Sequence, residues 1–364
     1  MLLSIKTKLN LTSEQKVIMS KHAGIARFTY NWGLAAWNDI YKSGLKPNKF
    51  ILKKFFNNYV LPEYTWIKEK GICQKITQYA FDNLGKAFER YFRKLDDFPR
   101  FKKKGRQDSF TIDASGKPIN VGGKGLPHTT TKYITISRIA NDWFIAFAYE
   151  VDSQGLPAKF FYKKKIWQGT RQATIKQYDV LGVDLGVKTI ATLSTGVVFP
   201  NPKHYKNQLS KLQRLSKKLC RKAKGSNNRN KTKNQLAKLH AHIANLRNDT
   251  LHKITTYLSK NHAKIVVEDL NVSGMVKNHK LSQSISDCNF YEFKRQIEYK
   301  CKKFSSTLII ADRFYPSSKT CSNCGHKREV ITLSERIFEC DNCGFSLDRD
   351  LNAAINLMAL GCSV

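Results

Sequence analysis

The chain has 364 residues with 63 Lys and Arg against 28 Asp and Glu, a formal charge of +35. That surface is not indifferent to polyanions, and nucleic acid is the expected partner. A hydrophobic share of 41% with 21 Phe excludes a disordered basic tail, and no apolar run approaches the roughly 18 residues of a spanning helix, so no membrane partner is expected. The opening MLLSIKTKLN has no signal-peptide core, which predicts a cytoplasmic, reducing setting, nucleoid-associated when DNA is bound. Of nine cysteines, Cys73, Cys220, Cys288, Cys301 and Cys362 are scattered among apolar neighbours and read as buried thiols, while the other four are grouped.

In chain order, Leu3, Ile5 and Leu9 alternate with Lys6 and Lys8 as a first strand. Thr12 and Gln15 form a capping box for a helix from Ser13 to about Lys42. A second helix is expected at about 48–60, and a third from Ile72 to Leu95, with Ile76, Ala80, Leu84, Phe88 and Tyr91 on one face. After FPRFKKKGR the composition turns to β, with KYITIS and DWFIAFAYEV joined by a turn near Asn141. The first strand is expected to join that sheet, making the helical stretch an insertion in a small barrel.

From Tyr178, VLGVDLG, TIATLST and GVVFP predict an antiparallel meander. A leucine seam from Leu209 to Leu258, broken by KGSNNRNK, predicts a helix hairpin. KIVVEDL is a strand, 289–304 a helix, TLIIADRFY a strand and RDLNAAINLMAL the last helix, expected to face the core with Leu351, Ala354, Ile355 and Met358. The order βββ, α, β, α, β, α is that of the ribonuclease-H-like fold.

Cys321 and Cys324, then fifteen residues, then Cys340 and Cys343, each pair followed by glycine, read as a four-thiolate ribbon for structural Zn²⁺ with no open coordination position. Catalysis must lie elsewhere. Asp184 and Glu268 end strands built for burial, where charge is costly. Asp350 opens the last helix. Asp350 alone could be a helix-start residue, but Asp348 fits that role better. Asp269 is expected on the opposite strand face from Glu268. If the first and fourth strands of the second half are neighbours, three carboxylates converge without local cations and need divalent metal, Mg²⁺ or Mn²⁺, with a pair of ions expected.

Residues 185–248 contain fifteen Lys or Arg and no acid. The hairpin cations Lys217, Lys218, Arg221 and Lys222 are therefore candidates for following a phosphate backbone. In FPRFKKKGR, Arg100, Lys102, Lys103, Lys104 and Arg106 are interleaved with aromatics, as is FFYKKKIW further on, which suits backbone and unpaired bases.

Taken together, GVDLGVKTIATLSTG, IVVEDLNVSGM, NHKLSQSISD, FYPSSKTCSNCG and DRDLNAAINL resemble the TnpB family of transposon-encoded, RNA-guided DNA endonucleases, relatives of type V CRISPR effectors. The match covers about 180–360, with PRFKKKGRQDSF weaker upstream. The resemblance implies an α/β multidomain chain: a β-barrel (wedge) domain at 1–11 and 97–175, a helical recognition domain at 12–96, a RuvC-like nuclease domain at 176–315 and 348–364, and a ribbon module at 316–347 that contacts the target strand. It implies Asp184, Glu268 and Asp350 as the catalytic metal ligands, with guide RNA and double-stranded target DNA as partners and cleavage beside a short protein-read motif. A nuclease-silent RNA-guided DNA binder, a guide-independent RuvC or ribonuclease-H-like nuclease, and a transposase are the alternatives.

Overall fold

The computed structural model describes residues 2–69, 71–113, 120–121, 124–125, 133–150, 178–332 and 335–363. The FFYKKKIW motif at 160–167 lies outside the described residues. The chain divides into two compact units, Met1–Ile166 and Trp167–Val364. Among the described residues no helix is long and apolar enough to cross a membrane.

In the first unit β1 (Leu2–Lys8) leads into α1 (Ser13–Lys42), whose Thr12 and Gln15 close the expected capping box. α2 (Lys49–Phe55) widens into a π-helical turn, Phe56–Val60, and α3 (Lys75–Phe92) follows. β2 (Ser109–Asp113), a short ladder of β3 (Asn120–Val121) with β4 (Lys124–Gly125), and the hairpin β5 (Tyr133–Ile139) and β6 (Asp142–Glu150) complete the unit. The main sheet is antiparallel in the order β1-β6-β5-β2, so the first strand does pair with the later hairpin. Among the described residues it is an open sheet with β1 and β2 at its edges, not the closed barrel expected from the sequence. Helices and sheet share one core: Ile25, Leu34, Phe56, Phe81, Leu84 and Phe88 pack in the same cluster as Phe110, Ile136, Trp143 and Phe147. Alternation along β5 and β6 puts Ile134, Ile136, Trp143, Ile145 and Phe147 into that core.

The second unit is built on a five-stranded sheet of β7 (Tyr178–Asp184), β8 (Thr189–Leu193), β9 (Val198–Pro200), β10 (His262–Glu268) and β11 (Thr307–Ala311), in the order β11-β10-β7-β8-β9. β10 is parallel to both β7 and β11, while β7, β8 and β9 form the antiparallel meander. Between β9 and β10 runs the expected hairpin, α4 (His204–Cys220) and α5 (Asn227–Asn261). Leu212, Leu239 and Ile243 seal the hairpin. The far end of the same α5 carries Leu251, Ile254 and Leu258 into the main core. Three helices join β10 to β11: α6 (Val272–Met275), α7 (Ser282–Cys288) and α8 (Phe290–Phe304).

One face of this sheet, with Leu181, Val183, Ile265 and Val267, is sealed by α5 and by Phe293, Ile297 and Cys301 of α8. The other is covered by α9 (Arg349–Cys362), which follows a small antiparallel hairpin of β12 (Ile337–Glu339) and β13 (Ser346–Asp348). The α9 backbone lies directly on β7: a methyl at Gly182 would stand 1.9 Å from the Ala354 carbonyl oxygen and 2.5 Å from the Met358 nitrogen. So close an approach demands small residues. The buried face of α9 is therefore Ala353, Ala354, Leu357 and Gly361 with Asn352 and Asn356, while the expected Leu351, Ile355 and Met358 are only half-buried.

Candidate active site and metal-binding ribbon

Side chains alternate across a strand, so Gly182 and Asp184 share a face of β7, and Val266 and Glu268 share a face of β10. Both pairs lie on the α9 side. Val267 stands opposite Val183 in the parallel ladder. The next position on each strand, Asp184 and Glu268, is thus an acid at the same level of neighbouring strands. α9 runs back across them. With Ala354 seated on Gly182, Asp350 one turn earlier comes over Asp184.

The electrostatics follow from this placement. Burial, then the charges of Glu268 and Asp350, push the Asp184 carboxyl well above the usual carboxylate range. The sequence led us to expect no cation among the acids, but Arg349 opposes the shift, with its Nε 3.7 Å from an Asp350 oxygen. Asp348 accepts the backbone N–H groups of Asp350 and Leu351 at 3.0 Å each, an N-cap to α9 that leaves the Asp350 carboxylate outside the cap. Asp269 turns to the other face, where Lys294 at 3.0 Å and Arg313 at 2.6 Å hold its carboxyl below its ordinary range. Glu268 accepts a hydrogen bond from the buried hydroxyl of Ser317.

Cys321, Cys324, Cys340 and Cys343 bring four Sγ atoms within 4.8 Å of one another, the only such group of three or more candidate ligands among the described residues. Cys321 and Cys343 lie 3.8 Å apart, and Cys324 and Cys340 lie 3.6 Å apart. A tetrahedral ion with metal–sulfur bonds of about 2.3 Å gives sulfur–sulfur edges of about 3.8 Å, so the four thiols fit a metal and are too far apart for disulfides. The two knuckles repeat one design. Gly325 donates to the Cys321 carbonyl and Gly344 to the Cys340 carbonyl, both at 2.9 Å, and both glycines have positive φ, 76° and 69°.

The ribbon is clamped to α9. Asn352 donates to the Thr320 carbonyl at 2.8 Å and accepts from the Ser322 N–H at 3.0 Å. Asn356 donates to the carbonyls of Ser317 and Thr320, at 2.8 and 2.6 Å. The sequence reading missed Ser317, Asn352, Asn356 and Arg349. Its available signal was the amide pair spaced i, i+4 inside LNAAINL, since buried amides need partners.

The basic candidates divide. In the first unit the FKKKG loop is pinned by Asn31, whose side-chain amide bonds both backbone groups of Lys102, and by Asp108, which holds Arg27, Arg138 and the Gly105 N–H. Lys102 turns inward, its ammonium 4.0 Å from the Tyr30 ring centroid, and burial lowers its pKa. Arg100 pairs with Asp97 at 3.1 Å but stays exposed. Lys103, Lys104 and Arg106 are exposed. In the second unit Lys217, Lys218, Arg221 and Lys222 line one shallow cleft together with Arg214 at the end of α4.

Residues 146–279 match the family OrfB_IS605, described as a probable transposase, and residues 290–357 match the Cas12f1-like TNB domain. A putative RNA-guided DNA endonuclease of Streptomyces pristinaespiralis is 31% identical over 380 aligned residues, covering 98% of this chain and 89% of that protein. A second, from Escherichia coli K12, is 31% identical over 395 aligned residues, covering 99% and 92%. The chain belongs to the TnpB-like OrfB family. Within this OrfB chain, Asp184 and Glu268 fall in the transposase match, and the four cysteines and Asp350 in the TNB match. A further match, to a helix-turn-helix domain at 1–46, corresponds here to β1 and the single 30-residue helix α1. A Cas12f1–sgRNA–target DNA complex overlays 98% of the OrfB chain and 99% of its own chain at 13% identity, with a TM-score of 0.38, too low to carry an argument.

Proposed function

We propose that the protein is an RNA-guided, divalent-metal-dependent DNA endonuclease that hydrolyses phosphodiester bonds of a target DNA beside a short protein-read motif. The observation that carries this reading is that Asp184 and Glu268 end neighbouring parallel strands at the same level and Asp350 opens the helix laid across them, so that the charges of Glu268 and Asp350 act on the Asp184 carboxyl, although the three are not gathered as tightly as the four thiols. The strand order supports a RuvC-like, ribonuclease-H-like nuclease domain, with residues 316–347 as its ribbon module and the first unit supplying the wedge and recognition functions. The named activity of the two relatives supports the RNA guide and the DNA target.

Asp184, Glu268 and Asp350 would hold Mg²⁺ or Mn²⁺, and the donor set fits: oxygen ligands only, with one half-buried acid whose ionised form desolvation and then its acidic neighbours disfavour until a cation is present. When bound, two such ions activate water and stabilise the leaving oxygen of the phosphodiester. The chain's own residues do the positioning. β7 and β10 fix two acids side by side, the Asp348 cap fixes the start of α9, and Gly182 lets α9 descend until the third acid arrives. Cys321, Cys324, Cys340 and Cys343 would hold Zn²⁺ with all four positions filled, which supports a structural ion, and gripping the target strand is the role proposed for the ribbon around it.

The test begins with the purified protein. Sequencing its copurified nucleic acid should give an RNA of discrete length. The complex, with Mg²⁺, should cut only DNA that matches that RNA. Cutting without RNA would favour a guide-independent nuclease, and tight binding of matched DNA without cutting would favour a silent binder.

A further inference from the structure

Glu268 and Asp269 are adjacent carboxylates with opposite treatment. Asp269 is neutralised by Lys294 and Arg313. Among the described residues no Lys or Arg forms an ion pair with Glu268, and its protein partner is the Ser317 hydroxyl. A hydroxyl orients a carboxylate without supplying positive charge, so it fixes the geometry and leaves the negative charge available. Ser317 is itself 2% exposed, and its position is set from both sides. Its N–H donates to the Tyr315 carbonyl at 2.9 Å, and its carbonyl accepts from Asn356 of α9 at 2.8 Å. Asn356 and Asn352 also hold the Thr320 carbonyl, and Asn352 the Ser322 N–H, on either side of Cys321.

We infer that Ser317 is a positioning residue for Glu268: its hydroxyl sets that carboxylate in register with Asp350 through Asn356 and α9, and ties it to the first cysteine knuckle. This rests on the reading of Asp184, Glu268 and Asp350 as metal ligands. Asp350 and Glu268 come from different elements, and a glutamate has three rotatable side-chain bonds. The path Glu268–Ser317–Asn356 is a direct hydrogen-bonded link from that carboxylate to the helix bearing Asp350. Outer partners of this kind, when removed, typically lower metal affinity or activity about 10–100-fold.

The test titrates Mn²⁺ into the full-length protein with its copurified RNA, reading free Mn²⁺ by electron paramagnetic resonance. Glu268→Gln in the same complex serves as the blank for ions held by RNA. Zinc and RNA content are measured on every preparation. Ser317→Ala is expected to weaken the Glu268-dependent Mn²⁺ binding about tenfold or more. It should raise the Mg²⁺ needed for half-maximal cleavage by a similar factor, with the rate largely recovered at saturating Mg²⁺. Ser317→Thr, which keeps the hydroxyl, is expected to hold wild-type affinity. Wild-type Mn²⁺ affinity in Ser317→Ala would overturn the inference while leaving the acid site intact. Loss of zinc from Ser317→Ala would also overturn it, since the hydroxyl would then be holding the knuckle rather than the carboxylate. Equal Mn²⁺ binding by wild type and Glu268→Gln would overturn the metal-site reading, and this inference with it.

Discussion

The two faces of the second unit's sheet are made by the same strands, yet they differ in what covers them. Leu181, Val183, Ile265 and Val267 meet large side chains from α5 and α8, whereas Gly182 meets the bare backbone of α9, and the next positions on that side are Asp184 and Glu268. The α5–α8 side is a conventional apolar core. The α9 side places a helix so near β7 that glycine is needed at 182, and its acids sit where the helix begins. Strand alternation thus separates stability from chemistry by one residue step.

The strongest way to break this comparison is to remove the acids. Asp184→Ala, Glu268→Ala and Asp350→Ala should each reduce guided cleavage to background while RNA and target binding, measured by gel shift, stay near wild type. A next-largest effect is expected from the ribbon. Cys321→Ser should release zinc, measured by metal analysis, and lower cleavage about a hundredfold by misplacing the strand, with RNA retained. Full cutting by a zinc-free protein would remove the delivery role.

Gly182→Ala and Val183→Ala sharpen the comparison directly, being neighbours on opposite faces. Forcing a methyl against the α9 backbone should cost about 2–3 kcal/mol in denaturant unfolding and abolish cleavage under conditions where the protein is still folded. Val183→Ala should lose a similar amount, about 2 kcal/mol, through a cavity, yet keep cleavage. If both variants cut equally well, the two faces are not functionally distinct. The smallest expected effect is that of Asp348→Ala, which removes a cap worth about 1 kcal/mol and should leave cleavage in place. Loss of cleavage in folded Asp348→Ala, with Asp350→Ala active, would reverse the roles within DRD.

What could be read from the sequence was mostly local or periodic. The strands of the meander, β10, β11, the capping box at Thr12 and the spacing of the four cysteines are each written in a short window. The cap at Asp348 was legible because a cap residue and a first-turn residue have different backbone duties. The buried face of α9 was not. Periodicity favours Leu351, Ala354, Ile355 and Met358, but of these only Ala354, seated on a glycine some 170 positions earlier, is buried, and Gly361 lies against Val180 and Val266. Lys102 was read with its neighbours as a candidate nucleic-acid contact, and only the fold brings Tyr30 beneath it. Ser317, Asn352 and Asn356 were missed for the same reason: their partners are backbone N–H and carbonyl groups or a carboxylate between 30 and 49 positions away.

Asp348 belongs to two elements at once. It ends β13 opposite Ile337, and its carboxylate caps α9. The chain from Cys343 to Asp350 therefore has no slack, since it runs from knuckle to ladder to cap without a spare residue. One inserted amino acid after the cap would turn Asp350 about 100° around the helix axis, away from its partners. The other end is equally indexed, because Thr320 bridges to Lys327 and is held by both asparagines. For anyone exchanging ribbons between such proteins, a graft that preserves every cysteine but miscounts the step from Cys343 to Asp350 would keep its metal site and fail to cut.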